Sequence, residues 1–466
     1  MPALIPVALF GWIPIVLLMF LLLRPRLATG IAFAAGWCFL PMATYELPGL
    51  PDYSKTFATS VGALLGLIAF HPQMLFRLRF SWMDLPISVW CLCPFFSSLT
   101  NGLGPYDGLA TVVNQSISWG LPYLIGRAVY RTPQDLVSLA IAILICGILY
   151  VPLCLWEIRM SPHLHHNIYG FHQHSFGQAK RFGGWRPTVF MQHGLQVALW
   201  MASCFVLAFA GWYCGRIRRW RGYPTWPVLL ALGFTLMLSK SFGAWLLAFA
   251  ALGTLLIMSV SRKPWPLLLM VLMVPSYFVA RTTGLFSGRA LVSFVENNLS
   301  AEKASSLEFR LDNEDLLIEH AWKQPIFGWA GWGRNRVRDE AGNNQTVTDG
   351  LWIITFGING WVGLISLYTA LLWGPYRMIR RSSPKYWRKQ PELAVAVGLA
   401  TVCIINTIDS LPNAMVIPVF VTATGAVTSA ALYSTKRRRQ LVASTHSSQA
   451  PSPQASIHHA YPNNQT

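Results

Sequence analysis

The chain alternates between long apolar runs and short polar connections along most of its length. A bilayer hydrocarbon core needs about 20 apolar residues per helix, because each residue rises about 1.5 Å across about 30 Å. Such runs lie at 4–23, 27–46, 57–76, 85–100, 109–126, 136–156, 191–214, 225–239, 242–260, 264–283, 351–374, 392–408 and 413–434. The pattern predicts an all-α fold, a polytopic transmembrane helical bundle of about 12–13 helices over residues 1–434.

Composition agrees with a membrane protein. Of the 466 residues, 53% are hydrophobic and 12% are charged, and the mean hydropathy is +0.42. Soluble proteins carry about 25% charged residues, so a soluble fold of this composition would expose apolar patches that soluble surfaces do not tolerate. This excludes the soluble, fibrous, disordered and disulfide-framework classes and predicts the lipid bilayer as a partner. The eight cysteines lie in or beside apolar runs without CxxC spacing, which favours buried apolar roles.

The charges predict an orientation. The chain has 36 Lys and Arg against 18 Asp and Glu, a formal charge of +18. Basic residues concentrate in alternate connections, at 24–26, 77–79, 127–131, 216–221, 262–263, 377–389 and 436–439. The positive-inside rule makes this set cytoplasmic, with a cytoplasmic C-terminus and an extracytoplasmic N-terminus. The excess charge is then topological and predicts no nucleic-acid partner. The Ser-, Gln-, Pro- and His-rich residues 435–466 are expected to form a disordered cytoplasmic tail.

Two connections on the predicted outer side are too long to be turns. They span about 157–190 and 285–350, and loops beyond about 12–15 residues are usually functional or disordered. Within the second, Leu307, Leu311, Ile318 and Trp322 recur at helical spacing, which suits a helix at the membrane surface ending before Pro325. The chemistry is therefore expected on the extracytoplasmic side.

The second loop supplies two candidate features. Closely spaced glycines, Gly328, Gly331 and Gly333, allow backbone N–H groups to converge on an anion, although a tight surface turn is equally compatible with them. Arg310 lies on the polar face of the predicted helix, where it is either a binding cation or the i,i+4 partner of Glu314.

Further cations lie near other predicted helix ends. Lys240 lies between two apolar runs and faces either the lipid headgroups or a polar cavity. In the first loop, the segment from Arg181 through Arg186 to His193 leads into the seventh helix, where it meets an anionic headgroup or simply anchors the interface. The histidines between 163 and 174 lack a metal-binding helix motif such as HExxH, so no metal site is predicted.

Asp349 opens the eleventh predicted helix. An acid at a helix N-terminus either caps it or interacts with its dipole. The functional alternative is a carboxylate held at the membrane boundary as a general base.

In this order, these segments resemble the bacterial O-antigen ligase and O-antigen polymerase superfamily. Residues 238–248 resemble its Ser-Arg-Gly-Ala helix start, 310–333 its Arg…Pro-x-x-Gly-x-Gly-x-Gly loop, and 349–364 its His-Asn-x-Tyr-Leu…Gly-x-x-Gly helix. The segment from Arg186 to His193 is similar to its Arg-led segment before the middle helix, so the resemblance covers roughly 180–375. The chain departs from the family in having Asp349 where ligases usually have His, Lys240 where Arg is usual, and one more span than the usual twelve.

The resemblance implies a membrane glycosyltransferase of the bacterial inner membrane. It would move a glycan from an undecaprenyl-diphosphate carrier to a hydroxyl of a saccharide or glycolipid acceptor on the extracytoplasmic face, with inversion. Asp349 and Arg310 would be catalytic, whereas Lys240, Arg186, Arg181, His193, Gly328, Gly331 and Gly333 would bind the diphosphate. Fixed cations would neutralise the leaving group, so no cofactor and no metal are expected. The alternative is a transporter or flippase of a lipid-linked saccharide, which would place ionisable groups mid-membrane.

Overall fold

The structure is a computed structural model that describes residues 4–47, 51–181, 183–220, 222–298 and 301–447. Arg221 and residues 448–466 of the predicted tail lie outside the described residues. The helices are α1 Leu4–Leu22, α2 Pro25–Phe39, α3 Lys55–Phe70, α4 Pro72–Phe76, α5 Leu85–Thr100, α6 Pro105–Gln115, α7 Leu121–Val129, α8 Pro133–Met160, α9 Leu164–Tyr169, α10 Gly194–Tyr213, α11 Trp226–Leu238, α12 Phe242–Ser261, α13 Trp265–Thr282, α14 Arg289–Asn298, α15 Ala301–Ala321, α16 Leu351–Arg381, α17 Pro391–Asp409 and α18 Pro418–Ser447.

The prediction of an all-α polytopic bundle is confirmed. Each of the thirteen predicted apolar segments coincides with a helix, the fifth with α6 and α7 joined through a π-helical turn at Ser116–Gly120. In the described part of the chain, eight helices are long and apolar enough to cross a membrane. Among the described residues the strands form three short antiparallel hairpins: β1 Thr44–Tyr45 with β2 Tyr53–Ser54, β3 Lys180–Arg181 with β4 Gly184–Trp185, and β5 Arg219–Trp220 with β6 Tyr223–Pro224.

Helices α10, α16 and α17 form the centre of the bundle, with α18 packed against α7 and α16. Small residues permit the closest approach: a Cβ added to Gly126 of α7 would lie 2.0 Å from the Thr422 carbonyl oxygen of α18. Close packing of this kind drives helix association in lipid, where apolar burial gives no advantage. Helices α12 and α13 instead expose large side chains such as Phe249 and Leu272 on the outside of the bundle. These faces suit contact with lipid, and the chain is a multi-pass membrane protein.

The connections fall on two faces of the bundle. We call the side that carries 157–190 and 285–350 the loop face, and the side that carries 77–84 and 127–135 the basic face. Contacts join the basic connections to one another: Arg26 pairs with Asp135 at 2.8 Å and Arg127 with Asp84 at 2.6 Å. The grouping of these connections therefore agrees with the charge pattern. Part of the predicted disordered tail is helical, because α18 continues through 435–447.

Both long loops contain folded elements. The first holds α9, a 3₁₀ turn at Phe176–Ala179 and the β3–β4 hairpin, and the second holds α14 and α15. The apolar side of α15 does not form a free amphipathic face: Leu311, Leu317 and Ile318 are buried, and the helix packs against α14 and α16. The loops are thus built onto the bundle.

Candidate functional site

A buried network fixes α15 on the bundle. Arg281, near the end of α13, pairs with Glu314 at 3.1 Å and with Asp315 at 3.0 Å, and donates to the Leu311 carbonyl. Glu314 also accepts hydrogen bonds from the Tyr277 hydroxyl at 2.9 Å and the Trp352 indole at 3.1 Å. Burial raises the pKa of Glu314, while these donors oppose the rise. The network ties the second loop to α13 and α16 and leaves Glu314 committed to Arg281.

Arg310 therefore pairs elsewhere. Its Nε lies 3.4 Å from Asp349 Oδ2, and both side chains are about two-fifths exposed, at 41% and 43%. The Asn313 side chain, on the same helix, accepts the Val347 N–H at 2.9 Å and so holds the segment before Asp349. The two residues expected to be catalytic are thus in contact, and the i,i+4 partnership of Arg310 with Glu314 is not formed.

The start of α16 presents Asp349 without using it as a cap. Helix α16 begins at Leu351 with Gly350 as its N-cap residue and no side-chain cap hydrogen bond. A Cβ on Gly350 would lie 2.2 Å from the Leu411 carbonyl oxygen, and the Leu351 N–H donates to the Ser410 carbonyl at 2.9 Å. The glycine lets the chain pass close to the end of α17 and leaves Asp349 at the loop face.

The first loop is anchored by Glu157, which sequence reasoning missed. Its buried carboxylate accepts the N–H groups of Leu164 at 3.0 Å and of Thr188 and Val189 at 2.8 Å each. An acid at the end of an apolar run is costly unless it is satisfied in this way. The position of Glu157 at the end of an apolar run was therefore a signal in the sequence that it has buried partners. Glu157 sets the path of the chain that follows Arg186.

Arg186 and Lys240 are joined through backbone groups. Arg186 donates to the Lys240 carbonyl at 2.8 Å, and Lys240 Nζ donates to the Arg181 carbonyl at 3.2 Å. Gly184 in β4 leaves room for the ammonium, since a Cβ there would lie 2.1 Å from Lys240 Nζ. The β3–β4 hairpin and the turn between α11 and α12 thus hold three basic residues together.

Arg186 is a buried cation. It is 8% exposed, no carboxylate pairs with it in the described part of the chain, and its Nε has no hydrogen-bond partner there. Burial and the nearby Arg181 lower its pKa to about 10. A buried charge without a counter-ion is unfavourable, so this position favours an anionic ligand.

His193 lies beside Arg186. It is the N-cap residue of α10, and its Nδ1 accepts the Leu195 N–H at 3.0 Å. Burial, with His174, Arg186, Arg181 and Arg310 as further causes, lowers its pKa to about 4. The ring is therefore neutral at pH 7 and carries its proton on Nε2, as a donor. Because Arg310 contributes to this shift, the two loops meet within electrostatic range.

A small cleft lies beside Arg186 and His193. It is lined by Thr188, Arg186, His193, His172 and His174, and its volume of about 10 Å³ holds one water molecule. The cleft therefore accommodates a single ligand oxygen, and a larger anion would extend over the exposed loop residues. In the described residues, no group of three or more ligating side chains is placed to hold a metal ion.

The glycine run has a packing role. The N–H groups of Trp329 and Ala330 donate to the Gly357 and Ile358 carbonyls, at 2.8 and 3.0 Å. Here α16 is kinked at Gly360, with φ +62°, and a Cβ on Gly328 would lie 2.6 Å from the Gly360 nitrogen. The N–H groups of this part of the run are thus occupied within the protein.

The rest of the run forms a turn. Gly331 and Gly333 continue as a turn toward Arg334 and Arg336, whose N–H groups donate to the two glycine carbonyls. In the described residues, no hydrogen bond joins Gly328, Gly331 or Gly333 to Arg310, Asp349 or Arg186.

Asp409 is a second carboxylate near Arg310 that the sequence reasoning left aside. It ends α17, lies within electrostatic range of Arg310 and lines a cavity with Leu351, Ser410 and Trp119. An acid at a helix C-terminus opposes the helix dipole, and this unfavourable placement was a usable signal.

Comparison of the chain with models of protein families and with curated proteins gave no match.

Proposed function

We propose that this chain is a membrane glycosyltransferase that moves a glycan from a polyprenyl-diphosphate carrier to an acceptor hydroxyl, as O-antigen ligases and polysaccharide polymerases do. The observation that carries the proposal is the buried, carboxylate-free guanidinium of Arg186, held at the loop face beside His193, which in turn lies within electrostatic range of Arg310, the partner of Asp349. A cationic pocket beside a carboxylate suits a substrate with an anionic leaving group and a hydroxyl nucleophile.

The donor diphosphate would bind across the meeting point of the two loops. One phosphate oxygen would enter the cleft and accept hydrogen bonds from Arg186 and from Nε2 of His193. The remaining charge would lie over Arg181, Lys240 and Arg310. Guanidinium groups form short, charge-assisted hydrogen bonds to phosphate, and they would stabilise the negative charge that develops on the leaving group.

Arg310 would have two partners in turn. In the free protein it pairs with Asp349, and on donor binding it would turn to the diphosphate. Asp349 would then accept the proton of the acceptor hydroxyl. The hydroxyl oxygen forms a bond to the anomeric carbon, the bond from that carbon to the phosphate oxygen breaks, and its electron pair leaves with the diphosphate. Attack opposite the leaving group inverts the anomeric centre.

The site location also separates this proposal from a carrier. The groups described above lie in loops and at helix ends on one face, whereas carriers place ionisable residues mid-membrane between repeated halves.

The proposed donor also requires a location. The apolar helices would lie in the bacterial inner membrane, and the loop face would be extracytoplasmic, where this donor is presented.

The test is transfer by the purified protein. It is incubated with an undecaprenyl-diphosphate glycan and candidate saccharide or glycolipid acceptors, and the products are resolved by size. A ladder identifies a polymerase and a single addition a ligase. Arg186→Gln should raise the donor KM more than tenfold, because charge-assisted hydrogen bonds are lost, while Arg336→Gln, a change at an exposed arginine of the second long loop, should leave transfer unchanged. Absence of transfer from any lipid-linked glycan, with a folded protein, would reject the proposal.

A further inference from the structure

A second cationic site lies on the basic face, away from the candidate glycosyl-transfer site. A cleft of about 980 Å³ opens on that side between the end of α4, the start of α5, the end of α7 and the 429–433 part of α18. Its lining includes four arginines, Arg77, Arg79, Arg127 and Arg131, together with exposed aromatic side chains. Helix α3, which precedes α4, begins at the loop face, where Lys55 donates to the Phe190 carbonyl, and α5 ends there, where Asn101 donates to the Gly328 carbonyl.

The arginines of the cleft are unequal. Arg127 is buried and forms a two-point pair with Asp84, through bonds of 2.6 and 2.7 Å, so its charge is already balanced. Arg131 donates to the Met74 carbonyl, and in the described part of the chain no carboxylate pairs with the side chains of Arg77, Arg79 or Arg131.

The cleft therefore keeps an excess of positive charge. Burial, followed by Arg77 and Arg127, lowers the pKa of Arg131, although Asp135 opposes the shift. The fold thus holds like charges together, an arrangement that a bound anion would relieve. The positive-inside rule accounts for basic residues on this side, but not for their convergence on one cleft.

Apolar groups next to these arginines favour an amphiphile over a simple anion. Phe76, Phe80 and Trp82 are 86%, 71% and 81% exposed, although each is a large hydrophobic side chain. They lie in the connection from α4 into α5, at the same end of the bundle as Arg77 and Arg79. Aromatic side chains are enriched at the membrane interface, and basic pockets between transmembrane helices bind acidic lipid headgroups.

We propose that this cleft binds an anionic phospholipid of the adjacent leaflet, with its phosphate held by Arg77, Arg79 and Arg131 and its acyl chains lying along Phe76, Phe80 and Trp82. The lipid would link the connection before α5 to α7 and α18. The site is independent of the proposed glycosyl transfer, because it lies at the opposite ends of the helices and uses none of the same residues.

The test measures lipid binding to the full chain after purification and delipidation in detergent. Phosphatidylglycerol and phosphatidylcholine are titrated separately, and the bound lipid is counted by native mass spectrometry. The variant is R77Q/R79Q, which changes two exposed side chains and leaves the Arg127–Asp84 pair intact. The matched control is R216Q/R219Q, which removes the same charge from exposed residues of another basic connection. An unchanged Tm in detergent alone shows that both variants are folded.

The expected result is preferential binding of phosphatidylglycerol to the wild-type protein and to R216Q/R219Q, with binding to R77Q/R79Q weakened by about 30-fold. Equal binding of phosphatidylcholine, or undiminished binding of phosphatidylglycerol to R77Q/R79Q, would overturn the assignment. Displacement of the lipid by inorganic phosphate at equal concentration would also overturn it, since the cleft would then be a site for a free anion.

Discussion

Arg310 Nε and Asp349 Oδ2 lie 3.4 Å apart, although the two residues belong to separate parts of the second long loop. Arg310 stands on α15, which Arg281 holds to the bundle through Glu314, and Asp349 precedes α16, which starts against the end of α17. Each side chain is thus positioned by a separate anchor. Because both side chains are partly exposed, the ion pair contributes little to the free energy of unfolding. A ligand could therefore replace either partner.

We expect Asp349→Asn to reduce transfer by about 10²–10⁴-fold, because a general base is lost, and Arg310→Gln by about 10²–10³-fold, because a cation opposite the leaving group is lost. The free energy of unfolding should change by less than about 1 kcal/mol in each, since exposed ion pairs contribute little. Initial rates and thermal unfolding check both statements. If Asp409→Asn abolished transfer while Asp349→Asn retained it, the base would be Asp409.

The Arg281–Glu314 pair should behave in the opposite way. Arg281→Met leaves a buried carboxylate without its cation, which should lower the free energy of unfolding by about 3–5 kcal/mol and expose residues 285–350 to protease. The double variant Arg281→Met/Glu314→Leu should recover most of the loss, because it removes both buried charges. Denaturation in detergent and limited proteolysis provide the measurement. A single variant as stable as the wild type would contradict the anchoring role.

The low pKa of His193 predicts a dependence of stability on acid. Its pKa is about 4 in the folded protein against 6.5 in the unfolded chain, so the folded state binds fewer protons. Above pH 6.5 this group does not lower the free energy of unfolding. As the pH falls from 6.5 toward 4, the free energy of unfolding decreases by roughly 3 kcal/mol in all.

His193→Gln keeps an acceptor for the Leu195 N–H and removes the titration. The gap in Tm between the two proteins should therefore change across this window and remain constant above it. His165, which also has a pKa of about 4, is present in both proteins and cancels. A gap in Tm that stayed constant from pH 7 to pH 4 would show that His193 is not the group responsible.

Substitutions at two glycines of the same run distinguish a packing role from a role in anion binding. Gly328→Ala should be strongly destabilising, by more than about 2 kcal/mol, because φ is +70° and its Cβ would lie 2.5–2.6 Å from the α16 backbone. Gly331→Ala meets open space and should remain within about 0.5 kcal/mol of the wild type. Unfolding and donor KM are measured for both. Weak donor binding by a fully stable Gly331→Ala would support a role of this residue in binding the diphosphate.

Much of the fold followed from local pattern. The apolar runs predicted the order of the helices that build the bundle, and the alternation of basic connections grouped Arg26, Arg79 and Arg127 on one side. There Arg26 pairs with Asp135, and Arg127 pairs with Asp84 and donates to the Arg79 carbonyl. The candidate site was predicted less completely. Asp349, Arg186 and His193 were selected from their positions near helix ends, and Arg310 from the polar face of a predicted loop helix. Neither the anchors Glu157 and Arg281 nor the nearby Asp409 was predicted, since a charge at the end of an apolar run does not by itself indicate which distant groups it contacts.

The pattern of apolar and polar residues was sufficient to predict that the protein is a membrane-embedded helical bundle. In hydrocarbon every backbone N–H must be satisfied within its own helix, so the length of an apolar run alone defines a span. The partners of the charged side chains, in contrast, became known from the folded structure. Spacing along one helix made Glu314 a candidate partner of Arg310. In the folded loop, Glu314 instead pairs with Arg281, and Asp349 pairs with Arg310. The reason is that the partner of a side chain depends on which distant segment of the chain packs against it. Local periodicity contains no information about such long-range contacts.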